Sequence, residues 1–309
     1  MDVRSNRTLV MEFVLVGFTS EPHLQAALFV IFLFSYILML VGNLGLTVLI
    51  FLDSELHTPM YFFIGSLSFL DTWYSTVYIP WILVDCISKS NIMSYAGCVL
   101  QFFFSCAVVH TECFLLAAMA YDHYVAICNP LLYSSIMTRK LCIQLVLSSY
   151  MVGFVNSIVQ TGNTFRLHFC GDNTINYFFC DALPLVKMAC EDTQVYEIIL
   201  AAVVGFNVGV STALVLGSYT AIVTAILRIR SATSQRKAFS TCSAHLVSVT
   251  LFYGSYFFIY LQPSSQHTPD LDKVAALFYT VVNPLLNPII YSLRNKDMKE
   301  AFKKALRRT

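Results

Sequence analysis

IILAAVVGFNVGVSTALVLGSYTAIVTAIL occupies positions 198 to 227, from Ile198 to Leu227, without one Asp, Glu, Lys or Arg. About 20 predominantly apolar residues suffice to cross bilayer hydrocarbon, so this stretch is long enough to span it and far too long for a barrel strand. Hydrocarbon offers unpaired backbone groups no partner, which makes the segment a helix. Working outward, charge-free runs recur from Pro22 to Leu52, Ser90 to Thr111, Leu141 to Phe165, Ala238 to Pro269 and Val274 to Leu293. A further apolar stretch, Leu56 to Val84, is broken only by Asp71, and the Ser90 run continues past Glu112 to Cys128. The reading is an all-α membrane protein, one domain over residues 1–309, with seven transmembrane helices near 24–50, 59–84, 95–128, 141–162, 197–227, 238–261 and 273–293.

Composition agrees. At 57% hydrophobic and 12% charged residues, too few polar side chains remain to cover a soluble globule. A formal net charge of +1 recommends no nucleic acid. The positions of the charges are more informative. Thirteen of the 19 Lys and Arg fall in the loops after spans one, three and five and in the tail, among them Arg228, Arg236 and Lys237. That side is therefore read as cytoplasmic, and residues 1–23 as extracellular. Asn6-Arg7-Thr8 is a glycosylation sequon on the same outer side. The run from Leu9 to Phe18 contains Glu12 and lacks a basic flank and a cleavage motif, so the first span is read as the targeting signal to a multi-pass place in the plasma membrane. Beyond Leu293, residues 294–309 place Met298, Ala301, Phe302, Ala305 and Leu306 on one helical face between basic residues. This is read as a short amphipathic cytoplasmic helix on anionic membrane lipid.

Of ten cysteines, Cys106, Cys113, Cys128, Cys142 and Cys242 belong to spans and are read as small hydrophobes. Cys98 opens the third span, and Cys170, Cys180 and Cys190 lie in a long outer connection, Asn163 to Tyr196, in an oxidising compartment. Two disulfides are expected, with all three pairings open. Cys86 is left over as a free thiol.

Asp71 and Glu112 are the carboxylates well inside the membrane, where such a group is functional by default. A proton- or ion-coupled transporter using this pair is the alternative reading, although the spans show no half-repeat. Nothing supports an enzyme. His110, His123 and His245 are too scattered in sequence to be argued as metal ligands, and Val274 to Leu293 contains no Schiff-base lysine for retinal. Pro288, beside Asn287 and Tyr291, is the best hinge among the span prolines. The small-xxx-small spacing Gly205 to Gly209 carries little weight.

Several strings converge: Gly42-Asn43, Leu56-His57-Thr58-Pro59-Met60-Tyr61-Phe62-Phe63, Leu67-Ser68-Phe69-Leu70-Asp71, Met119 to Cys128 (MAYDHYVAIC), Lys237 to Leu246 (KAFSTCSAHL) and Pro284 to Tyr291 (PLLNPIIY). Together they make the chain resemble the odorant receptors of the rhodopsin-like G-protein-coupled class, in the tetrapod-type subgroup, from about Glu12 to Leu306. The resemblance implies a receptor that binds a small, mostly apolar volatile and activates an olfactory-type stimulatory G protein, raising cyclic AMP. It implies the pairs Cys98–Cys180 and Cys170–Cys190, and a sodium ion or water held by Asp71 and Glu112 with Asn43 and Asn287 nearby; no other cofactor is expected. It places Asp122, His123 and Tyr124, with Arg228, Arg236 and Lys237, at the G protein. One departure is visible, because the family has arginine where this chain has His123, exchanging a permanent charge for one that is partial near neutral pH.

With Asp71 and Glu112 as its floor, the ligand must sit outward of Glu112 on the third span, where the helical repeat gathers Ser105, Cys106, Val109 and His110. The resemblance supplies the facing walls: Val203 and Asn207, Tyr256 and Tyr260, Leu277 and Thr280, with Tyr253 beneath. The set carries no fixed charge, and an amine receptor would show a carboxylate near Ser105, so a neutral odorant with one polar group, bonded by His110 and Tyr260, is expected.

Overall fold

The computed structural model describes residues 11–19, 21–88, 91–170, 173–260, 269–294 and 296–308, with side chains described except at 259–260, 269–270, 293–297 and 305–308. Asn6 and the side chains of Tyr260, Ala305 and Leu306 lie outside the described residues.

The chain forms β1 (Glu12–Leu15), α1 (Pro22–Leu52), α2 (Pro59–Ile87), β2 (Ile92–Ser94), α3 (Tyr95–Cys128), α4 (Tyr133–Ile136), α5 (Arg139–Phe165), β3 (Thr174–Ile175), α6 (Ala182–Val186), α7 (Gln194–Leu227), α8 (Ala232–Tyr260), α9 (Pro269–Leu277), α10 (Asn283–Arg294) and α11 (Lys296–Arg308). Seven helical rods make the bundle: α1, α2, α3, α5, α7, α8 and the joined pair α9–α10. Their starts are locally encoded. Pro22 and Pro59 open α1 and α2, where a missing N–H costs nothing. Ser94 Oγ accepts the N–H of Gly97 at 3.1 Å to cap α3, and Thr138 Oγ1 accepts that of Leu141 at 3.3 Å to cap α5.

Central to the bundle is α3, which packs against α2, α5, α7 and α8. Its closest neighbour is set by one residue. A Cβ at Gly153 of α5 would lie 2.6 Å from the carbonyl of Ala107 and against Thr111 Oγ1, so only a bare backbone fits that crossing. By contrast, a Cβ at Gly205 or Gly209 would meet nothing within 4 Å, in keeping with the small weight given to that spacing. The seventh rod departs from α geometry between α9 and α10, where Phe278–Val282 winds as a π-helix. Pro288 lies inside α10, further along the rod.

One end of the bundle carries a cap. There β1 pairs antiparallel with β2, Phe13 opposite Met93, and parallel with β3, Val14 opposite Thr174. Phe13 is fully buried and Phe18 stacks on Phe178 at 4.4 Å. Gly17 follows with φ +54°, and a side chain there would collide with the Asp85 carboxylate. Lys273 Nζ of α9 donates to Gly17 O at 2.7 Å and to Asn176 Oδ1 at 2.9 Å, tying the leading segment, the long connection and the seventh rod together. At the opposite end α11 turns buried Met298 and Ala301 toward the bundle and leaves Phe302 exposed, while Lys304 Nζ meets Glu55 Oε2 at 2.7 Å.

Candidate functional site

Beneath the cap lies a cavity of about 50 Å³ lined by six rods: Tyr74 and Tyr78 of α2, Ser105, Cys106, Val109 and His110 of α3, Gln160 of α5, Val204 and Val208 of α7, and Tyr256 and Tyr279 of the last two rods. A twelfth lining residue, Asp181, descends from the long connection. Three polar atoms in this wall are buried without a hydrogen-bond partner among the described residues: Tyr74 Oη, His110 Nδ1 and Gln160 Nε2. Unpaired buried polar groups cost free energy, which sets these three atoms apart from the rest of the wall.

Covalent and hydrogen-bonded anchors place Asp181. Cys98 at the start of α3 is disulfide-bonded to Cys180, the pairing the resemblance implied, as is Cys170 to Cys190. Gln101 Oε1 then accepts the Cys180 N–H at 3.0 Å, and Asp181 Oδ1 caps α6 by accepting the Ala182 N–H at 2.8 Å. Burial pushes the Asp181 carboxyl up to about 6; the Ala182 N–H opposes that rise and Asp272 adds to it.

The structure corrects the lining expected from sequence. Ser105, Cys106, Val109, His110 and Tyr256 are in the wall, but Val203, Asn207, Leu277 and Thr280 are not. Asn207 is turned to α5, accepting from Asn156 Nδ2 at 3.0 Å, and Thr280 Oγ1 is spent on Ala276 O at 2.8 Å. Tyr253 donates to Cys113 O at 3.2 Å, below the cavity wall. The expected set holds no carboxyl, whereas this cavity has Asp181 in its wall, a residue of the connection that helix periodicity could not assign to any wall. Tyr74, Tyr78 and Tyr279 were missed for a different reason, since aromatic residues in a span read equally well as packing.

A sequence model of the olfactory receptor family matches residues 32–309. Human olfactory receptor 9G4 is 60% identical over 97% of this chain and 92% of its own. The chain belongs to the olfactory receptor family. Mouse olfactory receptor 9G19 is 55% identical, over 98% of this chain and 99% of its own. Among solved structures, the receptor superposes on squid rhodopsin with a TM-score of 0.74 at 19% identity, covering 94% of this chain and 82% of that one, a likeness of fold.

Below the cavity the receptor holds a polar core. Asn287 Nδ2 donates to Asp71 Oδ2 at 2.9 Å while its Oδ1 accepts from Ser248 at 2.8 Å, and Asn43 Nδ2 donates to Pro284 O at 2.9 Å. Glu112 and Tyr291 lie within electrostatic reach of Asp71, and Tyr291 Oη and Asn43 Oδ1 are without a hydrogen-bond partner among the described residues.

Toward the α11 end, Asp122 is buried and accepts from Tyr133 Oη at 2.8 Å rather than being solvated. His123, also buried, donates from Nδ1 to Met119 O at 2.7 Å and stacks on His245 at 5.2 Å. His245 in turn accepts from Tyr219 Oη at 2.7 Å and donates to Leu116 O at 3.1 Å. Two histidines far apart in sequence are thus neighbours; three of their four ring nitrogens have oxygen partners, and among the described residues no group of three His, Cys, Asp or Glu could hold a metal. Arg228, Arg236 and Lys237 are exposed at the same end, and Tyr124 is half-buried.

Proposed function

We propose that this receptor binds a small, mostly apolar volatile in the cavity under the cap and activates an olfactory-type stimulatory G protein at the α11 end, raising cyclic AMP. The observation that carries the reading is the convergence of Tyr74 Oη, His110 Nδ1 and Gln160 Nε2, unpartnered among the described residues, on one mainly aromatic space that also holds Ser105 and Asp181, the arrangement a small ligand with a polar group would complete. The bias of Lys and Arg supports an extracellular cap and a cytoplasmic α11. Exposed Arg228, Arg236 and Lys237 then present positive charge to the G protein, and α11 rests on anionic lipid.

Asp71 and Glu112, with Tyr291 in electrostatic reach of both, fit a hard monovalent cation such as sodium; two carboxylates among neutral oxygens suit such an ion better than a transition metal. The ion would neutralise charge that the membrane interior otherwise penalises. The deciding experiment is expression of the full chain with a cyclic-AMP reporter against an odorant panel. A dose-dependent response lost in His110→Ala supports the reading. Ion flux dependent on Asp71, without any G-protein response, would replace it with a transporter.

A further inference from the structure

We infer that the polar group this cavity takes is a protonated amine, so that the ligand is a short alkylammonium ion held by Asp181 within a box of tyrosines. The inference rests on the odorant reading above and narrows its ligand class.

The first observation is the carboxylate. Asp181 lines the cavity beside Ser105 and Cys106, with Oδ1 committed to the Ala182 N–H and Oδ2 without a partner among the described residues. No Lys, Arg or His among them forms an ion pair with it. The titratable groups it feels are neutral or of its own sign: Tyr78, Cys106, Tyr177, Tyr196, Tyr279 and, on α9, Asp272. Above its titration near pH 6 the carboxylate is a half-buried anion lacking a counter-charge among the described residues, a costly state that a bound cation relieves.

The second, independent observation is the aromatic wall. Tyr74 and Tyr78 meet edge to face at 4.9 Å, Tyr256 and Tyr279 lie 5.3 Å apart, and Tyr74 and Tyr279 join the pairs at 6.5 Å. Tyrosine faces draw a cation placed within about 6 Å of the ring centre, and desolvation strengthens that attraction. An anion or an acid would instead face both the tyrosine faces and Asp181 unfavourably. The cavity also bounds the size. At about 50 Å³ it holds roughly three to five waters at 10–15 Å³ each, space for a small amine and not for a long chain.

The test uses the full-length receptor in lipid nanodiscs at pH 7.4, its thermal unfolding followed against n-alkylamines from ethyl to hexyl and the matched n-alcohols. A ligand of the native state raises Tm with its concentration. The expected result is a Tm rise with the shorter amines, half-maximal at a concentration at least tenfold below that of the matched alcohol. Asn at position 181 still offers an oxygen to cap α6, so Asp181→Asn should keep the folded yield and lose the tenfold preference. Asp181→Glu should retain part of it. Alcohols that stabilise as well as amines, or an amine preference that survives Asp181→Asn, would overturn the cation while leaving a neutral-odorant cavity standing. No shift with any amine also overturns it, and the cyclic-AMP panel then judges the odorant reading separately.

Discussion

His110 illustrates how one atom's bonding state decides what its loss does. Its Nδ1 has no hydrogen-bond partner among the described residues, so His110→Ala removes chiefly one bond to a ligand, worth about 1 kcal/mol. For an identified agonist, the dose response should move right by roughly five- to tenfold at normal surface expression. Asp181 carries the opposite sign of effect. Its folded carboxyl titrates at about 6 against an ordinary 3.8, so the folded state favours the neutral form and stability falls as pH rises from about 4 to about 6. Above that window the ionised carboxylate costs on the order of 2–3 kcal/mol in the ligand-free receptor. Asp181→Asn should therefore melt higher than the parent at pH 7.5, with the gap closing by pH 4; thermal unfolding across that range checks it. At this scale the sequence made half the site legible. Ser105, Cys106, Val109 and His110 follow from helical spacing above Glu112, whereas Asp181 enters because a disulfide and Gln101 fold the connection inward, and no periodicity encodes that path.

Long apolar runs, all charge-free but the one holding Asp71, marked every rod of the bundle, since the bilayer demands length and apolarity from each helix separately. What they could not mark was how the rods meet. Gly153 sat in the sequence as one small residue among many, yet it sets the approach of α5 to α3. Gly153→Ala should destabilise the receptor by roughly 1–3 kcal/mol through overpacking against Ala107 and Thr111, lowering Tm and surface yield, while Gly205→Ala leaves both unchanged. Short strands were equally invisible, because β1, β2 and β3 are two to four residues long and acquire meaning only when paired. The disulfides differ by the chain they close. With separations of 82 and 20, loop entropy gives about 4.5 and about 3.3 kcal/mol, so Cys98→Ser should cost more stability than Cys190→Ser. Only the former should also abolish ligand-induced stabilisation, since Cys180 delivers Asp181 to the cavity.

Across the whole receptor, the stack of Tyr219, His245 and His123 links α7, α8 and α3 at the end opposite the cavity. In its histidine pair, each nitrogen that bonds does so with a neutral partner, a backbone carbonyl or a tyrosine hydroxyl. An arginine at 123 would bring a longer, permanently charged fork into that buried slot and press His245 aside. His123→Arg should therefore change basal cyclic AMP at least twofold; basal and agonist-driven signals that both match the parent would show that the stack does not restrain the receptor. The cap has a consequence in time as well as space. Strand β1 leaves the ribosome first, but Glu12 must wait for Ser94 and Val14 for Thr174 before either has a partner. At about 5–20 residues per second, the second wait lasts on the order of ten to thirty seconds. The leading segment is thus the first made and among the last to settle, and its docking signals that the chain behind it has been inserted in the right order.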